Sequence, residues 1–343
     1  MDPGRDTEEA GQRIGAESGL SKVAVTGGAG FLGSHIVRRL IDQGEEVSII
    51  DDFSSGTVEN LKDVGVKQKC VRGDLRDYRL AKKSLEGVDE VFHFAAEVGS
   101  VKYLHGSKER ELATLQANTV IDTNVFRACR ELGVKRVIYA SSVSVYPIDR
   151  QQGSHFRFKE EDSEERVNPE GGYGWSKYLA EKQLSMMEGI SFGVARIFHA
   201  YGKNIYLRPD RSQVIASLMS KAIRYPKDGF VVWGDGSQRR CFVYIDDAIE
   251  ALFRIREYVS RKGSITVNVG TTEEHTVKEL AEMIVALSGK RIQIRFDRTK
   301  PSGALNRMPD LTKIDRTIGW EAQTRLSEGL KSTYEWALTR IRG

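Results

Sequence analysis

Residues 22–44 read KVAVTGGAGFLGSHIVRRLIDQG, and this stretch decides the architecture. It opens as a short β-branched run, the pattern of a buried strand. Gly27, Gly30 and Gly33 then recur every third residue, and from Phe31 the apolar residues take helical spacing until Gly44 stops the run. Strand, glycine turn and helix in that order let a backbone approach a pyrophosphate at the positive end of a helix. Asp51 closes the following strand, 18 residues after Gly33. A carboxylate there accepts hydrogen bonds from an adenosine ribose and repels a 2′-phosphate, so the predicted cofactor is NAD and not NADP.

Outward from this unit the alternation continues. EVSIID (46–51), KQKCVRGD (67–74), EVFHFAA (90–96), RVIYASS (136–142) and FGVARI (192–197) read as strands, with helical segments at about 109–132 and 172–188 between the later ones. The predicted fold is α/β: a Rossmann-type doubly wound parallel sheet with a smaller C-terminal α/β lobe. The boundaries expected are a flexible tail over 1–20, a dinucleotide domain over 21–198 with a return segment near 240–270, and a mainly substrate-binding lobe over 199–343. Within that lobe VIASLMSKAI (214–223) and TVKELAEMIVALSG (276–289) read as helices, the second capped by Thr276. SITVNVG (264–270) reads as a strand able to return to the main sheet.

Bulk properties exclude several classes. The chain has 343 residues, 40% hydrophobic and 29% charged, with a formal charge of +4. So slight a surplus does not argue for nucleic acid. Three cysteines without CxxC spacing fit reduced thiols, and no stretch approaches the ~18 apolar residues of a membrane span. The polar first 20 residues do not read as a signal peptide. A cytoplasmic protein without a metal site or membrane partner is expected.

Chemistry enters at GGYGWSKYLAE (171–181), where Tyr173 and Lys177 share one helical face. A phenol is a poor base at neutral pH, with a reference pKa near ~10. A lysine one turn away favours the phenolate, as does an oxidised nicotinamide. Ser141 and Ser142 end a strand that should abut the same crevice, and a serine there can hold a reacting oxygen against Tyr173. The trio Ser142, Tyr173 and Lys177 predicts redox chemistry at a carbon bearing a hydroxyl. Asp74, in GDL, is a candidate for the adenine edge or a helix N-cap.

TGGAGFLGSH, IIDDFSSG, VFHFAA, YASSVSVYP, YGWSK, RIFHAYG and GDGSQRRCFVYIDDAIEAL together resemble the extended short-chain dehydrogenase/reductases over residues 21–341. More narrowly they resemble its nucleotide-sugar epimerases and dehydratases, among them the UDP-glucose and UDP-glucuronate 4-epimerases. The resemblance implies NAD held by Gly27, Gly30, Phe31, Leu32, Asp51, Asp52, Phe53, Ser55, Gly56, Asp74, Leu75, Phe94, Ala95, Ala96, Asn118, Ser141, Tyr173 and Lys177. It implies catalysis by Ser142, Tyr173 and Lys177, and phosphates gripped by Arg240 and Arg307. Gln213, Val214, Trp233 and Asp310 fall where base and ribose contacts are expected. A homodimer paired through the two long helices is the family default.

The stretch after Ser142 selects a branch. Dehydratases and decarboxylases of the family place acidic residues there, whereas this chain has Val143 and Ser144. The 3,5-epimerases place a thiol where Ser144 stands, and the fucose-synthase branch has a histidine near Gln213. What remains is the pattern of a 4-epimerase: Tyr173 takes the 4-OH proton, hydride passes reversibly from C4 to NAD, and the 4-keto sugar turns over between the two transfers. A UDP-hexose or UDP-hexuronate is the favoured substrate. Two residues depart from that pattern. His199 stands where the family has asparagine and is able to contact the diphosphate or titrate near neutrality. Glu97, in AAEVGSVKYL, is able to face the sugar and keeps C3/C5 chemistry open, as in a GDP-sugar 3,5-epimerase. Two further readings stay open at this point, a 4-ketosugar reductase and a dinucleotide-sensing protein without catalysis.

Overall fold

The computed structural model describes residues 21–62, 64, 69–153, 156–209, 211–300 and 303–342. The tail expected over 1–20 lies outside the described residues, as do Lys67 and Gln68 of the third predicted strand. The chain begins β1 (Lys22–Thr26), α1 (Phe31–Asp42), β2 (Glu46–Asp51), β3 (Lys69–Arg72), α2 (Tyr78–Ser84) and β4 (Glu90–His93). It continues with α3 (Val101–His105), α4 (Lys108–Leu132), β5 (Arg136–Ser142), β6 (Arg157–Phe158), α5 (Asp162–Glu165), α6 (Gly171–Ser185) and β7 (Ser191–Ile197). Next come α7 (Val214–Arg224), β8 (Val231–Trp233), β9 (Arg239–Arg240), α8 (Ile245–Lys262), β10 (Ile265–Val269) and β11 (His275–Thr276). The last elements are α9 (Val277–Ser288), β12 (Arg295–Asp297), β13 (Asn306–Pro309), α10 (Thr312–Ile318) and α11 (Leu326–Arg342).

Seven parallel strands form the main sheet in the order β10-β7-β5-β4-β1-β2-β3. Strand order reverses between β1 and β4, and open sheets of this kind bind ligands at the carboxyl ends beside such a reversal. β10 joins the sheet beside β7, so the SITVNVG stretch does return to it. Both faces are covered, which is why the central strands β1, β4, β5 and β7 are largely buried, while the edge strand β3 is mostly exposed. Ile36, Val37 and Leu40 of α1 pack on one face with Leu252 and Ile255 of α8. Val125, Phe126 and Cys129 of α4 pack on the other with Ala180 and Leu184 of α6.

Smaller sheets stand over the carboxyl ends. One has the order β11-β9-β13-β6, and β12 pairs with β8. Strand β6, which precedes residue 198, is thus hydrogen-bonded to β13 of the C-terminal region. Helix α9 is closed by a capping box in which Thr276 and Glu279 satisfy each other's backbone amides.

Candidate active site

The crevice between the sheet and the smaller lobe has a volume of about 890 Å³. Its floor is set by the turn after β1. Gly27 adopts φ +66, and a Cβ there would lie 2.8 Å from the Ala95 backbone nitrogen. At Gly33 a Cβ would come within 2.1 Å of the Gly27 carbonyl, so α1 can approach the turn only without a side chain at that position. The first amides of α1, unpartnered within the helix, open onto the crevice beside Gly30, Phe31 and Leu32. Asp51 accepts the Ala29 and Phe53 amides, each at 2.8 Å, which ties the glycine turn to the end of β2. Burial raises its pKa, the two amides draw it down, and the charge of Asp52 raises it again. Four lone-pair sites leave this carboxylate room for ribose hydroxyls as well.

Most predicted cofactor residues converge on this crevice: Gly27, Gly30, Phe31, Leu32, Asp51, Asp52, Ser55, Asp74, Leu75, Phe94, Ala95, Ala96, Ser141, Tyr173 and Lys177 line it. Three lie outside the lining. Phe53 sits under the Arg72 guanidinium, 5.6 Å from its ring centre. Gly56 presses on Ala29, where a Cβ would lie 2.8 Å from the Ala29 carbonyl carbon. Asn118 is buried and clamps the loop after β4, accepting the Glu97 amide at 2.6 Å and donating to the Glu97 carbonyl at 3.1 Å. Ser141 lines the crevice, yet its hydroxyl donates to Glu181 and not toward a ligand. Asp74 is forked by the Arg76 guanidinium, and the N-cap of α2 is instead Asp77.

Ser142 neighbours Tyr173 at the crevice, and the Lys177 ammonium lies 5.9 Å from the Tyr173 ring centre. Burial pushes the phenol up to about 12; Ser142 opposes this, while the charge of Asp122 adds to it. Burial also lowers Lys177, and Asp122 and Glu181 counter that. From the sequence, both the lysine and an oxidised nicotinamide are expected to favour the phenolate. Within the protein's own groups desolvation dominates, so bringing the phenol down calls for positive charge beside the oxygen.

Around Arg240 and Arg307 the crevice is cationic. Arg240 and Arg307 are both buried and repel each other. Arg240 donates to the Ala304 carbonyl at 2.6 Å and the Arg239 carbonyl at 2.7 Å, and has no carboxylate partner among the described residues. Burial first, and then the Arg307 charge, work against its protonated form. Arg307 is held by Gln151 at 2.9 Å and ion-paired with Glu170, a carboxylate whose other neighbour is the Ser144 hydroxyl at 3.2 Å. Two guanidiniums against one carboxylate leave an anion-seeking site. Gln213, Val214 and Trp233 line the crevice. Asp310 does not; it accepts the Thr312 amide at 2.9 Å and serves the turn into α10.

His199 lines the crevice in the left-handed region, φ 47. Burial, then Arg240 and Arg307, hold it well below the ordinary imidazole range, so it stays neutral and does not titrate near neutrality. Its buried Nδ1 has no protein partner, an open position for a polar ligand atom. Glu97 also lines the crevice, but it is bound: it accepts from the Tyr103 hydroxyl at 2.6 Å and the Arg110 guanidinium at 2.7 Å. Glu170 and Asp122 were missed from sequence. A carboxylate three residues before Tyr173, and one a helical turn after Asn118, were the only signals available.

Glycine turn, acidic β2 end and Ser–Tyr–Lys cluster meet at one crevice, and residues 23–270 match the NAD dependent epimerase/dehydratase family. The chain belongs to that family. Its members use NAD, and the residues at the crevice floor fit it. Among relatives, GDP-mannose 3,5-epimerase of Arabidopsis thaliana is 32% identical over 93% of this chain and 83% of its own. UDP-glucuronic acid decarboxylase 1 of Danio rerio is 29% identical over 94% of this chain and 73% of its own. Among solved structures, UDP-glucose 4-epimerase of Thermotoga maritima, determined with UDP-glucose, aligns with a TM-score of 0.81 at 26% identity, covering 93% of this chain and 99% of that one. Family members of the same fold therefore run different reactions, and the site must be read for which one this is.

Proposed function

We propose that this enzyme inverts C4 of a nucleotide-diphospho-sugar, a UDP-hexose or UDP-hexuronate, through a transient 4-keto intermediate. The observation that carries the reading is the supply of proton carriers. Tyr173, steadied by Ser142, is the phenol beside Lys177 that lines the crevice, while Ser144, two residues after Ser142, is a hydroxyl engaged with Glu170. A 4-epimerase needs no second carrier, because the proton leaves and returns at one oxygen. When bound, NAD would supply reversible hydride acceptance and the positive charge that favours the Tyr173 phenolate. Arg240 and Arg307 anchor the diphosphate, His199 offers its neutral Nδ1 to a polar ligand atom, and Gln213, Val214 and Trp233 contact base and ribose. The nucleotide end is thereby fixed while the sugar turns. On this reading residues 21–198 with the return segment near 240–270 form the cofactor domain, and 199–343, joined by β6, otherwise form mainly the substrate lobe.

A second reading, 3,5-epimerisation, is favoured by the Arabidopsis relative and by the carboxylates Glu97 and Glu170 at the crevice. One experiment separates them. UDP-, GDP- and dTDP-sugars are incubated with the protein in D2O and the products identified by NMR. C4-inverted product free of deuterium at C3 and C5 is expected; deuterium at either carbon overturns simple 4-epimerisation. Net consumption of added NADH assigns the protein to the ketosugar reductases.

The assembly proposed is a homodimer. Leu112 and Val120 of α4 are 52% and 41% exposed, and Trp175 and Leu179 of the adjoining α6 are 37% and 38% exposed. Apolar groups gathered on two packed helices suit a second copy better than water. Replacing both Trp175 and Leu179 by glutamate is expected to halve the mass seen by light scattering; an unchanged mass places the interface elsewhere. Among the described residues no helix is long and apolar enough to cross a membrane.

A further inference from the structure

Behind Lys177 runs a buried chain of polar groups that the chemistry above does not use. The Lys177 ammonium donates to the Tyr139 hydroxyl at 3.1 Å, and that hydroxyl donates to Asp122 Oδ2 at 3.2 Å. The other oxygen of Asp122 meets His93 Nε2 at 3.0 Å, and His93 Nδ1 meets the Thr26 hydroxyl at 2.6 Å. Thr26 Oγ1 in turn accepts the amides of Phe94 at 3.2 Å and Ala95 at 3.3 Å, at the crevice floor. Every side chain in this chain of groups is at most 3% exposed. With Thr26 accepting two amides, its proton points to His93 Nδ1, and the ring proton sits on Nε2 toward Asp122. The bonds therefore run in one sense from each end and meet on a single carboxylate.

An ammonium taken out of water is costly unless opposite charge and hydrogen bonds compensate it. We propose that Asp122, reached through Tyr139 and braced by His93, is a positioning residue that keeps the Lys177 ammonium charged and aimed at Tyr173. The charged and titratable groups facing Lys177 are Tyr139 from β5, Asp122 from α4, and Tyr173 and Glu181 from α6, with His93 of β4 behind Asp122. Glu181 is already shared between Arg196, through both carboxylate oxygens, and Ser141. Asp122 is thus the carboxylate that a hydrogen-bond path connects to the lysine. Tyr139 also stacks its ring beneath the ammonium, 4.5 Å from the ring centre, which fixes the direction of approach.

The inference rests on the reading of Tyr173 and Lys177 as the reacting pair. Its test is the titration of Lys177 in NAD-loaded protein carrying 13C,15N-lysine, the signal assigned with Lys177→Met, alongside the pH profile of turnover. Asp122→Asn keeps the shape and removes the charge, and its Lys177 midpoint is expected to fall by about one pH unit or more. The alkaline limb of the profile should move down with it, because the ammonium is lost at lower pH. Tyr139→Phe keeps the ring and breaks the path, so the midpoint should fall in the same direction by less. A wild-type midpoint in both variants overturns the proposal; a shift in Asp122→Asn alone overturns the path through Tyr139. Should Asp122→Asn fail to fold, Tyr139→Phe decides by the same readout. A Tyr173→Phe protein that kept its turnover would sink the catalytic reading while leaving the Lys177 titration as it was.

Discussion

Tyr173→Phe is expected to lower turnover by about 10²- to 10⁴-fold, the range lost when a positioned general acid–base group is removed. The substitution deletes one oxygen and keeps the ring, so the wall of the crevice is preserved. Ser142 loses its partner but lies at the crevice, where a ligand or water replaces it. Binding of UDP and retention of NAD should change little, which places the loss in kcat and not in KM. A steady-state assay with the sugar identified by the product panel, beside calorimetric UDP binding, makes the check. Turnover equal to that of the wild type would remove the phenol from the chemistry and move the protein to the dinucleotide-sensing class.

The second large effect is expected at Arg307. Its guanidinium pairs with Glu170, and both residues are at most 9% exposed. Arg307→Leu leaves the Glu170 carboxylate buried without that counter-charge, which costs about 3–5 kcal/mol of stability. Glu170→Leu in the same chain should recover most of the loss, since neither charge then remains to be desolvated. Urea denaturation measures both, and a loss below about 1 kcal/mol in the single variant would show that the pair does not hold the fold. Affinity for UDP should also fall, by about 10- to 100-fold, for one charge-assisted phosphate contact at 1.5–3 kcal/mol. The pH dependence has a definite sign. Burial alone would raise Glu170, but Arg307, then His105, outweigh it and hold its pKa lowered in the folded protein. A depressed carboxylate stabilises the fold above its unfolded pKa of ~4.3, and the contribution fades as pH falls through the folded value. Below that window the wild type and Arg307→Leu should converge.

Arg307 also shows where a sequence reading stops. The family resemblance implies that its guanidinium grips phosphate, but its carboxylate partner stands 137 positions away. That this guanidinium is already paired with a carboxylate follows only once β13 and the start of α6 are side by side. Glu97 is a similar case. As a residue in a glycine-rich loop it reads as a free acid beside the sugar, and in the fold Tyr103 and Arg110 hold it. His199 reads as a group that contacts the diphosphate or titrates near neutrality, and burial and two arginines remove the second by keeping it neutral.

By itself the amino-acid sequence determined the alternating sheet, the glycine turn, the acidic end of β2 and the order of Ser142, Tyr173 and Lys177. Each of these depends on local spacing: a period of strand or helix, or a turn that admits no Cβ. The tertiary structure alone decided which charges neutralise one another. Asp122 reads as one polar residue of a long helix, and only the packing of α4, α6, β4 and β5 makes it the buried carboxylate behind Lys177. Ion pairs and desolvation depend on distances through space, and no periodicity along the chain encodes them.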